Sequence, residues 1–411
     1  MKKVVIAGAS VYGLNNLSDD AMFSVFCREL HRNIPDLQIT LLARHPGPKL
    51  DDFYHLRSIR NLDHETKEES IGRWFNGLNP GDTADHLRGI WNAIAECDLL
   101  VIGGEPFIDI SLGLYRGPAP YASLLVVLAK LLQKPIMVNG IHVGRPLRTD
   151  QGKELARFCI SNATLVTIRE EHSRPLLQDM GIETDNVVTL ADAAYGLDPI
   201  HGKARGNEIL SKEGIQFRSD RAVGVTFRHM YWRWDESAWH YYSRTVAELC
   251  DYVIESFGVD VLFIPHNTYE AGQKYESDLP SHHDIVGKMR NKTHAHQIKG
   301  RYNIFDTLSL FPLLEMVFSN RRHSLIFGAI HDVPGLGVGE ELHIKVTMEE
   351  LLLGGRRFVN IEDFDPDVLE KNLADIWYNR ESLKAKMRVA LPPLRARALM
   401  HAQLAADLVR Q

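Results

Sequence analysis

Short apolar segments that end in glycine alternate with amphipathic segments along most of this chain. The first, residues 3–8, is β-branched and apolar, which is typical of a buried parallel strand that leads into a loop. A helix with an apolar stripe is predicted at residues 18–32. Such alternation forms βαβ units and a parallel sheet. Further strands are predicted at 37–42, 98–104, 135–140, 164–169 and 187–190, and helices at 121–132, 149–160 and 173–180.

The alternation stops in a polar stretch and then restarts. The second series predicts strands at 222–227, 259–265, 317–319 and 358–361, and helices at 236–257, 282–290, 306–316 and from 324 onward. We therefore predict an α/β fold with two Rossmann-like domains facing a cleft. The predicted parts are a domain at 1–200, a linker at 201–221, a domain at 222–375 and a helical segment at 376–411, broken at Pro392 and Pro393. Ligands bind at the carboxyl ends of strands in such folds, so the cleft is the expected site.

Composition excludes several classes of protein. The 47 Lys and Arg against 53 Asp and Glu give a formal charge of −6, which argues against a nucleic-acid binder driven by bulk charge. No apolar run approaches the ~20 residues of a membrane span, and residues 1–8 lack the features of a signal peptide. The four cysteines are scattered, which indicates reduced core residues of a cytoplasmic protein.

The loop after the first strand is a candidate ligand-binding segment. It is neither a G-x-G-x-x-G nor a Walker A loop. Gly8 leaves room for close approach to the backbone, and a helix N-terminus follows. Because Asp19 and Asp20 would repel a phosphate, we predict that Asn15, Asn16 and Asp19 bind sugar hydroxyls of an acceptor. The alternative is a helix cap with ordinary turn chemistry.

Two further strand ends carry similar candidates. Gly103 and Gly104 end a strand and precede Glu105, so a ligand could lie against the main chain while the carboxylate accepts its hydroxyl hydrogen bonds. His142 lies in a second glycine-rich strand end. We assign these residues to acceptor binding. The alternatives are a plain tight turn for the glycines and a packing role for His142.

The strongest constellation is the segment Ser319-Asn-Arg-Arg-His-Ser324, which follows a strand and opens a helix. Two guanidinium groups, of Arg321 and Arg322, meet a titratable imidazole, His323, at a helix N-terminus. This combination suits a compact polyanion, because guanidinium forks bind carboxylate and phosphate in bidentate fashion. His323 could move protons near neutral pH. The alternative is a solvated basic turn.

Other cations and rings are candidates with less support. Arg169 and Arg228 each end a predicted strand, and Lys345 follows a glycine-rich stretch. The aromatic segment at residues 229–242 is either a platform for a sugar or the buried start of a helix. The paired histidines at 282–283 and at 294 and 296 lack the spacing of metal ligands, so we predict no metal site.

Taken together and in order, several segments resemble the polysaccharide pyruvyl transferase family from the first strand to about Met387. They are "YGLNNLSDDAMF", "CDLLVIGGEPFID", "TLVTIREEHSRPLLQDMGI", "VTLADAAY", "SNRRHSLIFGAIHDVPG", "ELHIK" and "RFVNIEDFDPDVLEKNLADIWYNRESLKAKM". The "SNRRHS" segment is similar to the family's Arg-x-His motif. The chain departs from the family pattern at Ser18, Glu105, Glu170, Ala193 and Arg322. Most of these departures fall in the acceptor region.

The resemblance implies a GT-B-like fold and phosphoenolpyruvate as donor, with no cofactor. The product would be a pyruvate ketal on a sugar of a cell-surface polysaccharide or of its lipid-linked precursor, which implies peripheral contact with a membrane through the acceptor. Arg321 and His323 would take the catalytic roles, with Arg322 and Lys345 as further donor-binding residues and either Arg169 or Arg228 completing the anion clamp. The alternatives are a nucleotide-sugar glycosyltransferase and a non-catalytic glycan-binding protein.

Overall fold

A computed structural model describes residues 1–8, 16–61, 84–104, 118–143, 150–230, 234–268, 277–339, 344–354 and 357–411. The chain forms two compact units. The first unit contains the described residues within 1–8, 21–196 and 395–411. The second unit contains the described residues within 16–20 and 197–394. The second unit thus begins at Leu197, ahead of the predicted linker.

The first unit is built on a seven-stranded parallel sheet in the order β3-β2-β1-β4-β5-β6-β7. The strands are β1 (Lys2–Ala7), β2 (Leu37–Ala43), β3 (Arg57–Arg60), β4 (Leu99–Ile102), β5 (Ile136–Ile141), β6 (Leu165–Ile168) and β7 (Val187–Thr189). Both faces are covered, so strands such as β4 are buried at every position. The sequence predicted all of these strands except β3, which is short and only partly buried.

Helices of the first unit pack on both faces of this sheet. They are α1 (Leu17–Asn33), α2 (Pro48–Tyr54), α3 (Ala84–Glu96), α4 (Pro118–Leu131), α5 (Asp150–Ser161) and α6 (Ser173–Asp179). One core cluster brings Leu125, Ala156 and Val138 together, and the other joins Phe26 to Leu41 and Ala405. The parallel, doubly covered sheet confirms the predicted α/β class.

The second unit has a six-stranded parallel sheet in the order β10-β9-β8-β11-β12-β13. Its strands are β8 (Ala222–Thr226), β9 (Asp260–Phe263), β10 (Ala295–Gln297), β11 (Leu314–Ser319), β12 (Gly335–Gly339) and β13 (Phe358–Asn360). The glycine-rich β12 was not predicted as a strand. Its glycines are required by packing, because a Cβ at Gly337 would lie 2.2 Å from the Ile344 side chain.

Helices of the second unit are α7 (Ala204–Lys212), α8 (Glu236–Phe257), α9 (Leu279–Lys288), α10 (Ile304–Leu308), α11 (Arg322–Ile330) and α12 (Val346–Glu350). Helix α8 begins where Asp235 accepts a hydrogen bond from the Ala238 N–H, and it ends at Gly258, whose φ of 66° is left-handed. The helix predicted at 306–316 was wrong. Its apolar residues instead form α10, a 3₁₀ turn and the start of the buried strand β11.

Two predicted boundaries differ from the structure. The segment 201–221, predicted as a linker, contains α7, which buries Ile209 and Leu210. The predicted terminal segment is part of one helix, α13 (Pro366–Arg410), that continues through Pro392 and Pro393. Both prolines are exposed, so water can satisfy the carbonyls that lose a helix hydrogen bond. Within the described segments, every helix is too short or too polar to cross a lipid bilayer.

Candidate functional site

The turn between β11 and α11 carries the strongest candidates, and Ser319 fixes its shape. The Ser319 hydroxyl lies 3.0 Å from the Thr226 carbonyl oxygen, to which it donates, and it accepts a hydrogen bond of 2.8 Å from the Arg321 N–H. Because β8 and β11 are neighbouring parallel strands, Thr226 and Ser319 end at the same edge of the sheet. The turn is therefore attached to the strand that leads to Arg228.

Asn320 joins Arg228 to this turn. The Arg228 N–H donates to Asn320 Oδ1 at 2.9 Å, and Asn320 Nδ2 donates to the Arg228 carbonyl at 3.0 Å. Asn320 is 6% exposed, so this reciprocal pair is shielded from water. The structure thus places the backbones of Arg228 and Arg321 side by side, as expected for residues at the ends of adjacent strands.

Arg321 is held by a buried carboxylate that sequence reasoning missed. Its guanidinium forms an ion pair with Asp278, whose side chain is 0% exposed. The second carboxylate oxygen of Asp278 accepts the N–H groups of His266, at 2.8 Å, and Asn267, at 3.0 Å. Burial acts to raise the pKa of Asp278, but Arg321 and the hydrogen bonds hold that pKa below its ordinary value. The orientation of Arg321 is therefore set by a charged, fully bonded partner.

Two neutral imidazoles lie beside this ion pair. His266 Nε2 is 2.8 Å from Ser324 Oγ, and its ring stacks on Phe327. Burial, and then the positive charge of Arg321, lower the pKa of His266 well below its ordinary value. Burial lowers the pKa of His282 to about 4. Both rings are therefore uncharged near neutral pH.

Polar atoms in this cluster lack partners within the part of the chain that the structure describes. They are His266 Nδ1, His282 Nδ1, Thr268 Oγ1 and Arg321 Nε. Buried polar atoms without hydrogen bonds are costly unless another group satisfies them. Those that lie beside the ion pair could hydrogen-bond to a polar ligand.

Arg322 and His323 occupy the first turn of α11 and are 8% and 6% exposed. This burial contradicts the alternative of a solvated basic turn. His323, Arg321 and His282 all lie close enough to His266 to act on its pKa, which makes them one electrostatic cluster. Lys345 is half-buried and directly precedes α12.

Two of the predicted acceptor residues reach the same cluster. Asn16 forms an isolated antiparallel bridge with Asn267, and the Leu17 N–H donates to the His266 carbonyl at 2.9 Å. Asn16 Nδ2 also donates to Asp19 at 2.9 Å. Asn16 and Asp19 therefore lie against the segment whose backbone N–H groups hold Asp278. Asn15 lies outside the described residues.

The other predicted acceptor residues belong to the first unit. Gly103 and Gly104 line a recess with about 440 Å³ of empty space, part of it open to solvent, together with Asn139, Gly140 and apolar side chains of α1. Packing requires Gly8, because a Cβ there would lie 2.4 Å from the Gly103 carbonyl oxygen. Glu105 lies outside the described residues.

His142 and Arg169 also lie in the first unit, where they contact carboxylates. His142 Nδ1 contacts Glu170 Oε1, and Arg169 approaches Glu170 at 3.7 Å and Asp192 at 3.5 Å. All four side chains are buried. Arg228, in the second unit, is bonded to the turn that carries Arg321.

The remaining sequence candidates have structural explanations. Trp234 stacks on Tyr242 at 4.3 Å and on Trp239 at 5.9 Å, which supports the buried start of a helix. His294 and His296 each hydrogen-bond to the buried Asp260, at 3.1 and 2.9 Å.

Comparison with known proteins agrees with this reading of the motifs. Residues 19–341 match the family model described as polysaccharide pyruvyl transferase. The chain belongs to the polysaccharide pyruvyl transferase family. The match spans the turn with Arg321 and His323 and the loop that supplies Asp278, so the cluster lies within the family's defining region. The resemblance predicted from the sequence is confirmed.

One curated relative and several solved structures extend the comparison. The amylovoran biosynthesis protein AmsJ of Erwinia amylovora is 25% identical over 247 residues, which span 56% of this chain and 57% of AmsJ. The Neisseria meningitidis UDP-GlcNAc 2-epimerase bound to UDP-GlcNAc has a TM-score of 0.62 at 10% identity over both full chains. The Anabaena protein Alr3699/HepE in complex with UDP has a TM-score of 0.62 at 11% identity, also over both full chains. These likenesses confirm the GT-B-like fold of this pyruvyl transferase family member.

Sequence analysis did not identify Asp278 or His266, and the sequence contains few signals for either residue. Asp278 precedes a predicted helix and reads as a helix cap, and His266 follows a strand without any motif around it. Their positions along the chain relative to Arg321 match neither a helical nor a strand periodicity. Only the position of His266 at a strand end, beside other strand ends with polar residues, was a usable signal.

Proposed function

We propose that this protein transfers the pyruvyl group of phosphoenolpyruvate to two hydroxyls of one sugar, forming a pyruvate ketal. The observation that carries the proposal is the Arg321–Asp278 ion pair, set beside Arg228, Arg322 and His323 within the family-matched region. The sugar would belong to a cell-surface polysaccharide or its lipid-linked precursor. The reaction would take place in the cytoplasm, at the membrane surface where the acceptor is lipid-linked.

The charge of the cluster suits this donor. Phosphoenolpyruvate carries a carboxylate and a phosphate a few ångströms apart, so its binding requires more than one cation. Arg228, Arg321 and Arg322 supply three guanidinium groups, of which that of Arg321 is oriented by Asp278. Charge-assisted hydrogen bonds contribute about 1.5–3 kcal/mol each, which is enough to select a dianionic or trianionic ligand over a neutral one.

The three imidazoles of the cluster, those of His266, His282 and His323, do not have the same role in the reaction. Proton transfer to the terminal enol carbon of the donor makes its methyl group and lets the first sugar hydroxyl add to the neighbouring carbon. His266 and His282 are poor acids for this step, because their low pKa values leave them uncharged near pH 7. His323 is therefore assigned as the acid. The first hydroxyl returns a proton to the imidazole that has just lost one. The arginines stabilise the phosphate as its carbon–oxygen bond breaks, and the second hydroxyl then bonds to the same carbon and passes its proton to the departing phosphate.

The acceptor side of the proposal rests on Asn16 and Asp19. The bridge between Asn16 and Asn267, and the hydrogen bond from Asn16 to Asp19, support a role for these two side chains in binding sugar hydroxyls beside the donor cluster. AmsJ is a protein of amylovoran biosynthesis, which supports an exopolysaccharide unit as the acceptor.

The decisive experiment is a thermal-shift screen of the full chain against phosphoenolpyruvate, pyruvate, inorganic phosphate and UDP. We expect a selective increase in Tm with phosphoenolpyruvate that Arg321→Ala abolishes. Arg244→Ala is the matched control, since Arg244 lies on the surface of α8 with its side chain 67% exposed. A response that is equal for all anions, or that survives Arg321→Ala, contradicts the proposal.

A nucleotide-sugar glycosyltransferase is the second candidate function. Its nucleotide would bind at the carboxyl ends of β9 and β10, where Ile264, Pro265, Ile298, Gly300 and Thr307, among others, line a small recess that is partly open to solvent. In the same screen, a shift with UDP and none with phosphoenolpyruvate would support this candidate. A protein that responds to no small anion and still binds a glycan would instead be a non-catalytic member of the family.

A further inference from the structure

A second cluster of chemically capable side chains lies in the first unit. His142 follows β5, while Glu170 and His172 follow β6, and the two strands are hydrogen-bonded neighbours that end in register at Ile141 and Ile168. His142 and Glu170 are 5% and 1% exposed. The His172 side chain is 19% exposed. The three side chains therefore share one sheet edge and are largely shielded from water.

Their ligand atoms are close together. One nitrogen of each imidazole and one oxygen of Glu170 all lie within 4.8 Å of one another. His142 Nδ1 contacts Glu170 Oε1, and His172 Nε2 is 4.0 Å from the same oxygen. A metal ion bonded to each atom at about 2.0–2.2 Å requires ligand atoms about 3–4 Å apart. Small side-chain rotations reach that spacing, and the ion would replace the hydrogen bond between His142 and Glu170.

We propose that His142, Glu170 and His172 bind one divalent transition-metal ion. Two imidazole nitrogens and one carboxylate suit Zn²⁺, Co²⁺ or Mn²⁺, whereas Mg²⁺ and Ca²⁺ prefer oxygen ligands. Three protein ligands leave at least one coordination position for water or for a ligand hydroxyl. The proposed ligands include neither Arg321 nor His323, and their assignment does not rest on the proposed pyruvyl transfer.

Arg169 is the neighbour that opposes a cation. Its Nε lies 3.7 Å from Glu170 Oε1, and a terminal nitrogen lies 3.5 Å from Asp192, whose side chain is 0% exposed. Arg169 is thus paired with Asp192 as well as with Glu170, so its charge is shared between two carboxylates.

The test uses the full chain, stripped of metal with a chelator and titrated with CoCl₂ and ZnCl₂ in separate experiments. We expect visible absorption bands that saturate at one Co²⁺ per chain, displacement of Co²⁺ by Zn²⁺, and no displacement by a large excess of Mg²⁺. His172→Gln is the first variant, because its side chain is the least buried of the three. It should weaken Zn²⁺ binding at least tenfold in calorimetry while the circular dichroism spectrum stays unchanged.

His45→Gln, which removes an exposed imidazole of the same unit, is the matched control and should bind Zn²⁺ as the unaltered chain does. The proposal is overturned if one equivalent of Zn²⁺ fails to bind, or if His172→Gln binds it as tightly as the unaltered chain. Neither measurement uses phosphoenolpyruvate or a sugar. Failure of the metal site would therefore leave pyruvyl transfer untouched, and the reverse also holds.

Discussion

Arg321 donates to the buried carboxylate of Asp278, a residue that stands 43 positions earlier in the chain. Asp278 in turn accepts two backbone N–H groups, so the guanidinium is attached to a rigid support rather than to a mobile side chain. A cation held in this way binds an anion without first losing its own conformational freedom. The pair therefore organises the proposed donor site, and its removal should affect donor binding before it affects the fold.

Replacing Asp278 with Asn tests this support directly. The amide keeps an oxygen for the two backbone donors but loses the charge that orients Arg321. We expect phosphoenolpyruvate to bind at least tenfold more weakly, equivalent to about 1.4 kcal/mol, as measured by calorimetry. Asp284→Asn is the control, because Asp284 pairs with Lys288 on the helix surface. Unchanged donor affinity in Asp278→Asn would show that Arg321 needs no such support.

The same pair predicts an acid-dependent loss of stability. The pKa of Asp278 is lowered in the folded protein, so the stabilisation is present above the unfolded value of about 3.9 and is lost as pH falls through the folded value. Urea unfolding should therefore give a free energy that declines below about pH 4 more steeply for the unaltered chain than for Asp278→Asn. Equal slopes for the two proteins would contradict the pair's contribution.

His323→Gln should separate chemistry from binding. If His323 protonates the enol carbon, its removal lowers phosphate release by about 10²–10⁴-fold while the affinity for phosphoenolpyruvate changes little. The rates are measured by phosphate release with the acceptor present, and the affinity by calorimetry without it. His240→Gln, at an exposed position on α8, serves as the control. A variant with full turnover would exclude His323 as the acid.

The burial of His282 predicts that the free energy of unfolding also changes at a higher pH than the change due to Asp278. Its pKa falls to about 4 on folding because burial disfavours the charged ring, whereas the unfolded value is about 6.5. The stabilisation is complete above about pH 6.5 and is lost at up to about 1.4 kcal/mol per pH unit as pH falls toward 4. His282→Gln should flatten the stability profile in this window, as followed by urea unfolding.

The neighbouring His283 is exposed and provides the matched control for this measurement. His283→Gln should keep the slope of the unaltered chain between pH 4 and 6.5. If His282→Gln and His283→Gln show the same slope, burial of His282 does not govern the acid sensitivity.

Two glycines give a paired prediction about the first unit. A Cβ at Gly8 would lie 2.4 Å from the Gly103 carbonyl oxygen, a contact that forces the ends of β1 and β4 apart. Gly8→Ala should therefore destabilise the fold by about 1–3 kcal/mol, the usual cost of overpacking. At Gly89, inside α3, nothing lies within 4 Å of the added Cβ, so Gly89→Ala should stabilise by about 0.5–1 kcal/mol. Thermal unfolding distinguishes the two, and a neutral Gly8→Ala would contradict the packing argument.

Much of the fold was predictable because its signals are local. Apolar runs that end in glycine located β1 and β4, the return of the strand–helix alternation located β8, and the amphipathic pattern located α1 and α8. Where the local signal was ambiguous, prediction failed. The apolar residues 306–316 fit a helix by composition, yet residues 311–313 form a 3₁₀ turn and residues 314–316 begin β11, which lies between β8 and β12 in the sheet.

The residues of the proposed site also differ in whether the sequence identifies them. Arg321, Arg322 and His323 could be identified because one short segment contains them, and Arg228 because it follows a strand. Asp278 and His266 could not, since they come from a different loop and carry no motif. The sequence also contained no sign that His142 and Arg169 belong to the first unit and Asn16 and Asp19 to the second.

The sequence by itself determined the α/β class, the strand ends that carry polar residues and the family to which the chain belongs, because each of these is written in residues that are neighbours along the chain. Only the tertiary structure decided which carboxylate holds Arg321, which imidazoles are neutral and which strand ends share a unit. Those properties depend on burial and on distances of a few ångströms between residues far apart in sequence, and such distances exist only once the sheets have formed.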